Sequence, residues 1–144
     1  MKAVVNRIIP FSSVDGPGNR TAIFLQGCNI DCKYCHNPET RKLCVQCGTC
    51  VKQCPAGALS VGADGKVTFD PEKCVQCDTC IHVCPHDSSP RTCEMTPEEV
   101  YARVKKQIPF IRGISVSGGE CMLWPEFLTE LFRLAKQDGL GTLI

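Results

Sequence analysis

The sequence carries almost no net charge. Sixteen Lys and Arg residues against fifteen Asp and Glu leave +1, so composition gives no electrostatic case for binding nucleic acid. It also has no long hydrophobic run, since no stretch approaches the roughly 18 apolar residues that a membrane span needs. Nor does it open on a signal peptide, because Asn6 and Arg7 interrupt the short apolar run of Ala3, Val4 and Val5. These absences make a cytoplasmic protein, acting on neither membranes nor nucleic acids, the expectation. A length of 144 residues allows one ordinary domain or two small ones.

What the chain has in excess is cysteine, 13 residues in all. In a short secreted protein that density indicates a disulfide scaffold. Here there is no export signal, the number is odd, and all but Cys93 and Cys121 fall into three tight clusters. Clustered thiols in a reducing compartment are more often metal ligands. Cys93 and Cys121 are expected to be buried as small hydrophobes.

The apolar pattern predicts a strand over residues 3–9, a turn at Val14-Asp15-Gly16-Pro17-Gly18, and a buried strand over 21–25. Leu59-Ser60-Val61 and Val67-Thr68-Phe69 flank Asp64-Gly65 and read as a hairpin. Thr96-Pro97-Glu98-Glu99 signals a capped helix start, with Val100, Val104 and Ile108 following at helical spacing. A strand is expected at 114–117, a helix from Pro125 to about Lys136, and a further strand from Thr142. Strand and helix alternate outside residues 42–93, which predicts an α/β fold with a parallel sheet interrupted by a cysteine-rich insert.

Within the insert, Cys44-Val-Gln-Cys47-Gly-Thr-Cys50-Val-Lys-Gln-Cys54-Pro recurs 30 residues later as Cys74-Val-Gln-Cys77-Asp-Thr-Cys80-Ile-His-Val-Cys84-Pro. Two copies of C-x2-C-x2-C-x3-C-P resemble the bacterial two-cluster ferredoxin run, in which the fourth cysteine of each copy serves the other cluster. Cys44, Cys47, Cys50 and Cys84 are therefore expected to hold one [4Fe-4S] cluster, and Cys54, Cys74, Cys77 and Cys80 the second. Two structural zinc sites would also use eight cysteines, but zinc ligands usually arrive as spaced pairs. Metal–sulfur bonds would replace the core that about 50 residues cannot easily build. Electron relay is the implied role. His82 and His86 are expected at the surface or beside the ligands, because each cluster already has four cysteines.

Cys28-x3-Cys32-x2-Cys35 is a different site, with no fourth cysteine nearby. A cubane held by three thiolates keeps one iron open, as a catalytic zinc keeps an open position. A zinc site completed by His36 is the bland alternative. With Tyr34 before the third cysteine, the spacing resembles the C-x3-C-x-aromatic-C motif of the radical S-adenosylmethionine superfamily. Ser117-Gly118-Gly119-Glu120, at the end of the next expected strand, resembles that superfamily's Gly-Gly-Glu segment. The resemblance implies contacts to S-adenosylmethionine from Tyr34, His36, Gly118, Gly119 and Glu120, with Glu120 accepting a charge-assisted hydrogen bond from the ammonium. Trp124 is expected to pack at the entry of the helix that follows.

The flanks Val14-Asp-Gly-Pro-Gly18, Phe24-Leu-Gln-Gly-Cys28 and Tyr34-Cys-His-Asn-Pro-Glu-Thr40 resemble glycyl radical enzyme activating enzymes. The inserted two-cluster domain is similar to that of activases with extra clusters, nearest to YjjW-like ones, and is lacking in the pyruvate formate-lyase activase subgroup. By this resemblance residues 1–41 and 94–144 form the N-terminal part of a radical SAM partial (β/α)6 barrel, and 42–93 an α+β bacterial ferredoxin-like insert. The implied activity is reductive cleavage of S-adenosylmethionine to a 5′-deoxyadenosyl radical, which takes hydrogen from a glycine of a partner enzyme. The implied partners are that glycyl radical enzyme and a low-potential donor such as flavodoxin or ferredoxin. The Asp-Gly-Pro-Gly turn is either a plain tight turn or part of the site receiving the partner's glycine loop. The competing readings are radical chemistry on a small molecule or ribonucleotide reductase, and a ferredoxin-like carrier with no catalysis. About 90 residues outside the insert have room for little more than two βα units of roughly 30 each, so a truncated or N-terminal piece of such an enzyme is expected.

Overall fold

The computed structural model describes residues 1–144. Strands β1 (Ala3–Ser12) and β2 (Arg20–Leu25) form an antiparallel pair joined through residues 13–19. Strand β2 is buried along its whole length, because β6 (Gly113–Gly118) pairs in parallel on its other side. Strand β7 (Gly141–Leu143) pairs in parallel with β6, and β5 (Cys93–Met95) pairs antiparallel with β1. The sheet order is β5-β1-β2-β6-β7.

The sheet is therefore mixed, and the parallel expectation holds only for β2, β6 and β7. The reason lies in the connections. A seven-residue turn can only reverse the chain, whereas a parallel crossover needs a dozen or more residues. Strand β5 was too short to read from its pattern. It puts Cys93, expected to close the insert, on the main sheet opposite Val5. Cys93 is exposed on this edge strand, contrary to the expectation of burial, whereas Cys121 is buried in the core as expected.

Helix α2 (Pro97–Lys105) begins with the expected capping box. Thr96 accepts from the Glu99 N–H, and the Glu99 side chain accepts from the Thr96 N–H. Ile108 lies outside it, in a short 3-10 turn at Ile108–Phe110, because the residue before Pro109 is disfavoured in helical conformation. Helix α3 (Pro125–Gln137) starts on Trp124 and buries Phe127, Leu128, Leu131 and Ala135. The two helices and the sheet enclose a core of 17 buried residues, among them Ile23, Leu25, Val100, Val104, Ile114 and Phe127. Tyr101 joins α2 to the end of α3, its hydroxyl donating to Asp138 at 2.6 Å.

Arg20 locks the amino end of the parallel strands. Its buried guanidinium donates to Ser115 Oγ (2.8 Å) and to the carbonyls of Ile114 (2.8 Å), Gly141 (3.1 Å) and Pro17 (3.1 Å). This pins the Asp15–Gly18 turn, where Gly16 has φ +118°. The turn thus sits at the end of β2 and β6 opposite the Cys28 loop.

In the insert, β3 (Leu59–Val61) and β4 (Val67–Phe69) form the expected hairpin, and α1 (Thr79–His82) is a single turn. Only Cys50, Leu59 and Cys80 are buried together there. The insert's two ends meet, Lys42 bridging Ser88 in parallel and pairing with Asp87 at 3.2 Å.

Burial, then the hydrogen bond to and charge of Asp138, push the Tyr101 phenol well above its usual range. Tyr101→Phe should cost about 2 kcal/mol at neutral pH, as expected for a hydrogen bond to a charged group. A raised folded-state pKa gives stability that is complete below the unfolded value near 10 and is lost as pH rises towards the folded one. The difference between wild type and variant, measured by denaturant unfolding, should therefore shrink above about pH 10.

Candidate functional site

Parallel pairing places Leu25 opposite Gly118, so β2 and β6 deliver their following loops to one place. Cys28, Cys32 and Cys35 there share a cavity of about 400 Å³ with Tyr34, His36, Gly118, Gly119 and Glu120. Every residue expected at this site from sequence thus lines one cavity. Tyr34, 92% exposed, and exposed His36 stand on its rim.

Backbone contacts hold the cavity together. The Gly27 N–H donates to Thr40 O (2.8 Å), Gly119 N–H to Leu25 O (3.0 Å) and Glu120 N–H to Gly27 O (2.8 Å). A Cβ at Gly119 would lie 2.1 Å from Gly27 O, and one at Gly118 would lie 2.2 Å from Leu25 O. Both glycines are therefore required by close approach, and Gly118 also by its φ of +114°. The Glu120 carboxylate accepts from its own Met122 N–H at 2.8 Å, which fixes its direction. Arg41 pairs with Asp31 across the cysteine loop.

Sequence reasoning missed Gln26, which is 0% exposed. Its side-chain amide donates to the carbonyls of Glu39 and Lys42 (both 2.8 Å) and accepts from Asn6 Nδ2 (2.8 Å). Its own carbonyl accepts from Trp124 Nε1 at 3.3 Å, so Trp124 does more than pack. A lone amide directly after the apolar run of β2 was the available signal.

The eight insert cysteines lie on two loops of matching shape. Left-handed residues recur 30 positions apart, at Gln46 and Gln76 (φ 63° and 55°), Gly48 and Asp78 (72° and 58°), and Gly57 and Asp87 (62° and 50°). Such backbone turns N–H groups inward, as at many iron–sulfur sites. Here Gln76 N–H reaches Cys74 Sγ (3.4 Å) and Ala58 N–H reaches Cys54 Sγ (3.3 Å). Cys54, Cys74, Cys77 and Cys80 line one small cavity of about 20 Å³. His82 and His86 are exposed, as expected.

The thiols differ in electrostatic setting. Hydrogen bonds from Thr49 and Thr79 draw Cys47 and Cys77 below their usual range. Burial pushes Cys50 up to about 11, the charges of Cys44, Cys80 and Cys47 adding to it. Burial also raises Cys80, opposed by Arg91 and reinforced by Cys74 and Cys54. At Cys84 burial acts upward, but hydrogen bonds at Ser88 outweigh it, and the thiol, which also feels Cys47, is lowered. The thiols are grouped on loops with N–H groups near sulfur, and this donor set fits iron–sulfur cubanes.

Comparison with known proteins agrees with this class. Residues 14–59 match the family described as a 4Fe-4S single cluster domain, and residues 43–88 a 4Fe-4S dicluster domain. The chain is thus an iron–sulfur protein with one single-cluster part and one two-cluster part. It is 35% identical to the choline trimethylamine-lyase activating enzyme of Oleidesulfovibrio alaskensis, over 99% of this chain and 52% of that protein. It is 35% identical to the benzylsuccinate synthase activating enzyme of Thauera aromatica, over 98% of this chain and 48% of that one. To the pyruvate formate-lyase-activating enzyme of Clostridium pasteurianum it is 29% identical, over 97% and 41%. The chain belongs to the glycyl radical enzyme activating enzyme family, radical S-adenosylmethionine proteins with a two-cluster insert. It spans about half the length of the curated relatives it matches. No helix is long and apolar enough to cross a membrane.

Gly119→Ala forces backbone against backbone and should destabilise the reconstituted chain by about 3 kcal/mol. Denaturant unfolding reads the loss. Iron analysis should show the deficit at the Cys28 site, with the insert still loaded.

Proposed function

We propose that the chain acts as a glycyl radical enzyme activating enzyme, with a glycine of a partner enzyme as the site of hydrogen abstraction. The observation that carries this reading is the meeting of Cys28, Cys32 and Cys35 with Gly118-Gly119-Glu120 in one cavity, at adjacent ends of parallel strands. The order β2, α2, β6, α3, β7 is in keeping with the first units of a partial (β/α)6 barrel, whose active sites gather at carboxyl strand ends.

In this reading Cys28, Cys32 and Cys35 hold a [4Fe-4S] cluster with one open iron. Cys44, Cys47, Cys50 and Cys84 hold a second cluster, and Cys54, Cys74, Cys77 and Cys80 a third. The small cavity shared by Cys54, Cys74, Cys77 and Cys80 supports that crossed assignment. When bound, the first cluster supplies one electron to the sulfonium of S-adenosylmethionine, giving methionine and a 5′-deoxyadenosyl radical. The remaining work belongs to the chain's own residues. Glu120, held by Met122, offers a carboxylate to the substrate's ammonium. Gly118 and Gly119 let backbone come close to the methionine part. Tyr34 and His36 stand at the cavity mouth, where the adenosyl group and the partner's glycine must arrive. The clusters held by the insert's cysteines would supply a route for electrons from a low-potential donor such as flavodoxin or ferredoxin. The rival reading, a ferredoxin-like carrier, accounts for the insert but leaves the Cys28 cavity without a role.

The test is anaerobic reconstitution with iron and sulfide, then S-adenosylmethionine, dithionite and a candidate glycyl radical enzyme. The chain should take up roughly twelve irons, release 5′-deoxyadenosine and methionine, and give a glycyl radical signal by electron paramagnetic resonance. Serine at Cys28, Cys32 or Cys35 should remove about four irons and all deoxyadenosine formation. Deoxyadenosine without a glycyl signal, across several partners, would instead point to a small-molecule substrate. Electron transfer as the sole activity, unaffected by those substitutions, would establish the carrier.

A further inference from the structure

The two halves of the insert are close copies down to their hydrogen bonds. Thr49 Oγ1 lies 3.4 Å from Cys47 Sγ, and Thr79 Oγ1 lies 3.3 Å from Cys77 Sγ. Cys50 and Cys80 are the matching buried thiols. Several equivalent positions differ, among them Gly48 and Asp78, Ala58 and Ser88, and Val61 and Arg91. Position 61 is Val, and position 91, 30 residues on, is Arg.

The two residues make the same contact with different chemistry. A methyl of Val61 lies 3.9 Å from where a Cβ on Gly48 would be. Arg91 Nη2 lies 2.7 Å from Oδ1 of Asp78, the counterpart of Gly48. Arg91 lines the same small cavity as Cys54, Cys74, Cys77 and Cys80. Its side chain is 21% exposed, against 52% for Asp78. Asp78 lines that cavity too, but water screens its carboxylate more than the guanidinium, so Arg91 contributes the less screened charge of the pair beside the four thiols. The other half has apolar Val61 in this place, and Lys42 and Asp87 at its end pair with each other in solvent. Ser88 Oγ does lie 3.6 Å from Cys84 Sγ, where the first half has Ala58. That contact is long and neutral, and weaker than a charge.

One-electron reduction adds one negative charge to a cluster and its thiolates, and a fixed cation nearby favours the reduced form. We infer that Arg91 is a potential-tuning residue, raising the reduction potential of the cluster held by Cys54, Cys74, Cys77 and Cys80 above that of its twin. Two sites built from one repeat are thereby filled in a set order. Incoming electrons rest first beside Arg91. The inference rests on the crossed ligand sets proposed above.

The experiment is a dithionite titration of the reconstituted chain, followed by electron paramagnetic resonance, with Cys54→Ser and Cys74→Ser used to assign the waves. Arg91→Val, which copies the other half, should make the assigned cluster about tenfold harder to reduce at fixed potential, about 59 mV for one electron. The twin's wave should stay in place, and Arg91→Lys should recover most of the shift. Val61→Arg should move the twin's wave upward, which keeps the test open if Arg91→Val loads poorly. Equal movement of both waves in Arg91→Val, or of neither, overturns the inference while the ligand sets stand. If Cys54→Ser and Cys74→Ser remove different waves, the ligand sets themselves are wrong and the inference falls with them.

Discussion

Three stretches of chain come together at the carboxyl ends of β2 and β6 closely enough that backbone touches backbone. Leu25 lies opposite Gly118, the Gly27 carbonyl receives the Glu120 N–H, and the Gly27 N–H reaches Thr40. Any side chain at Gly119 would occupy the space of Gly27 O. The thiols of the 28–35 loop face the Gly-Gly-Glu segment because this approach is fixed. The Gln26 amide ties the arrangement to the rest of the molecule. It spends its donors on Glu39 and Lys42 and its acceptor on Asn6. Buried and fully satisfied, it costs little to enclose, whereas losing its partners would leave several polar groups unpaired away from water.

The same amide explains how an insert of this size is accommodated. Lys42, where the insert departs, gives its carbonyl to Gln26, its backbone to Ser88 and its ammonium to Asp87. Departure and return are thus tied within one small region beside Thr40. Because the ends are clamped together, the segment between them adds little closure cost to the sheet. The cysteine-rich part is thereby attached next to the loop that carries Cys28, rather than at a remote edge.

What was legible in the sequence was local. Cysteine spacing, the 30-residue repeat, the capping box at Thr96 and the Asp-Gly hairpin each need only neighbouring residues, and each is found. What was not legible depended on distant partners. The reversal between β1 and β2 is a matter of connection length, which hydrophobic periodicity does not report. Strand β5 exists because β1 offers it an edge. Ile108 fits a helical repeat, but Pro109 ends the helix before it. Gln26 bonds to backbone carbonyls 13 and 16 residues away, and Arg20 to groups 94 and 95 residues away. Carbonyls exist at every position, so no residue type announces such partners.

The contrast between the two cores decides how the parts are stabilised. The sheet and its helices bury 17 residues in one hydrophobic cluster, whereas the insert's own hydrophobic cluster has three, two of them cysteines. At roughly 1.5 to 3 kcal/mol for each buried apolar side chain, three residues fall far short of ordering some 50. Metal–sulfur bonds must make up the difference, so cluster assembly and folding of the insert are one process. In the crossed ligand sets proposed above, each half lends its fourth cysteine to the other, Cys54 forward and Cys84 back. Cys50 and Cys80 pack together on Leu59 between the two halves. In those proposed sets each half therefore supplies one of the bonds that close the other. The cross-bracing that builds the insert's structure is thus, in the proposed relay, also what keeps its two members together.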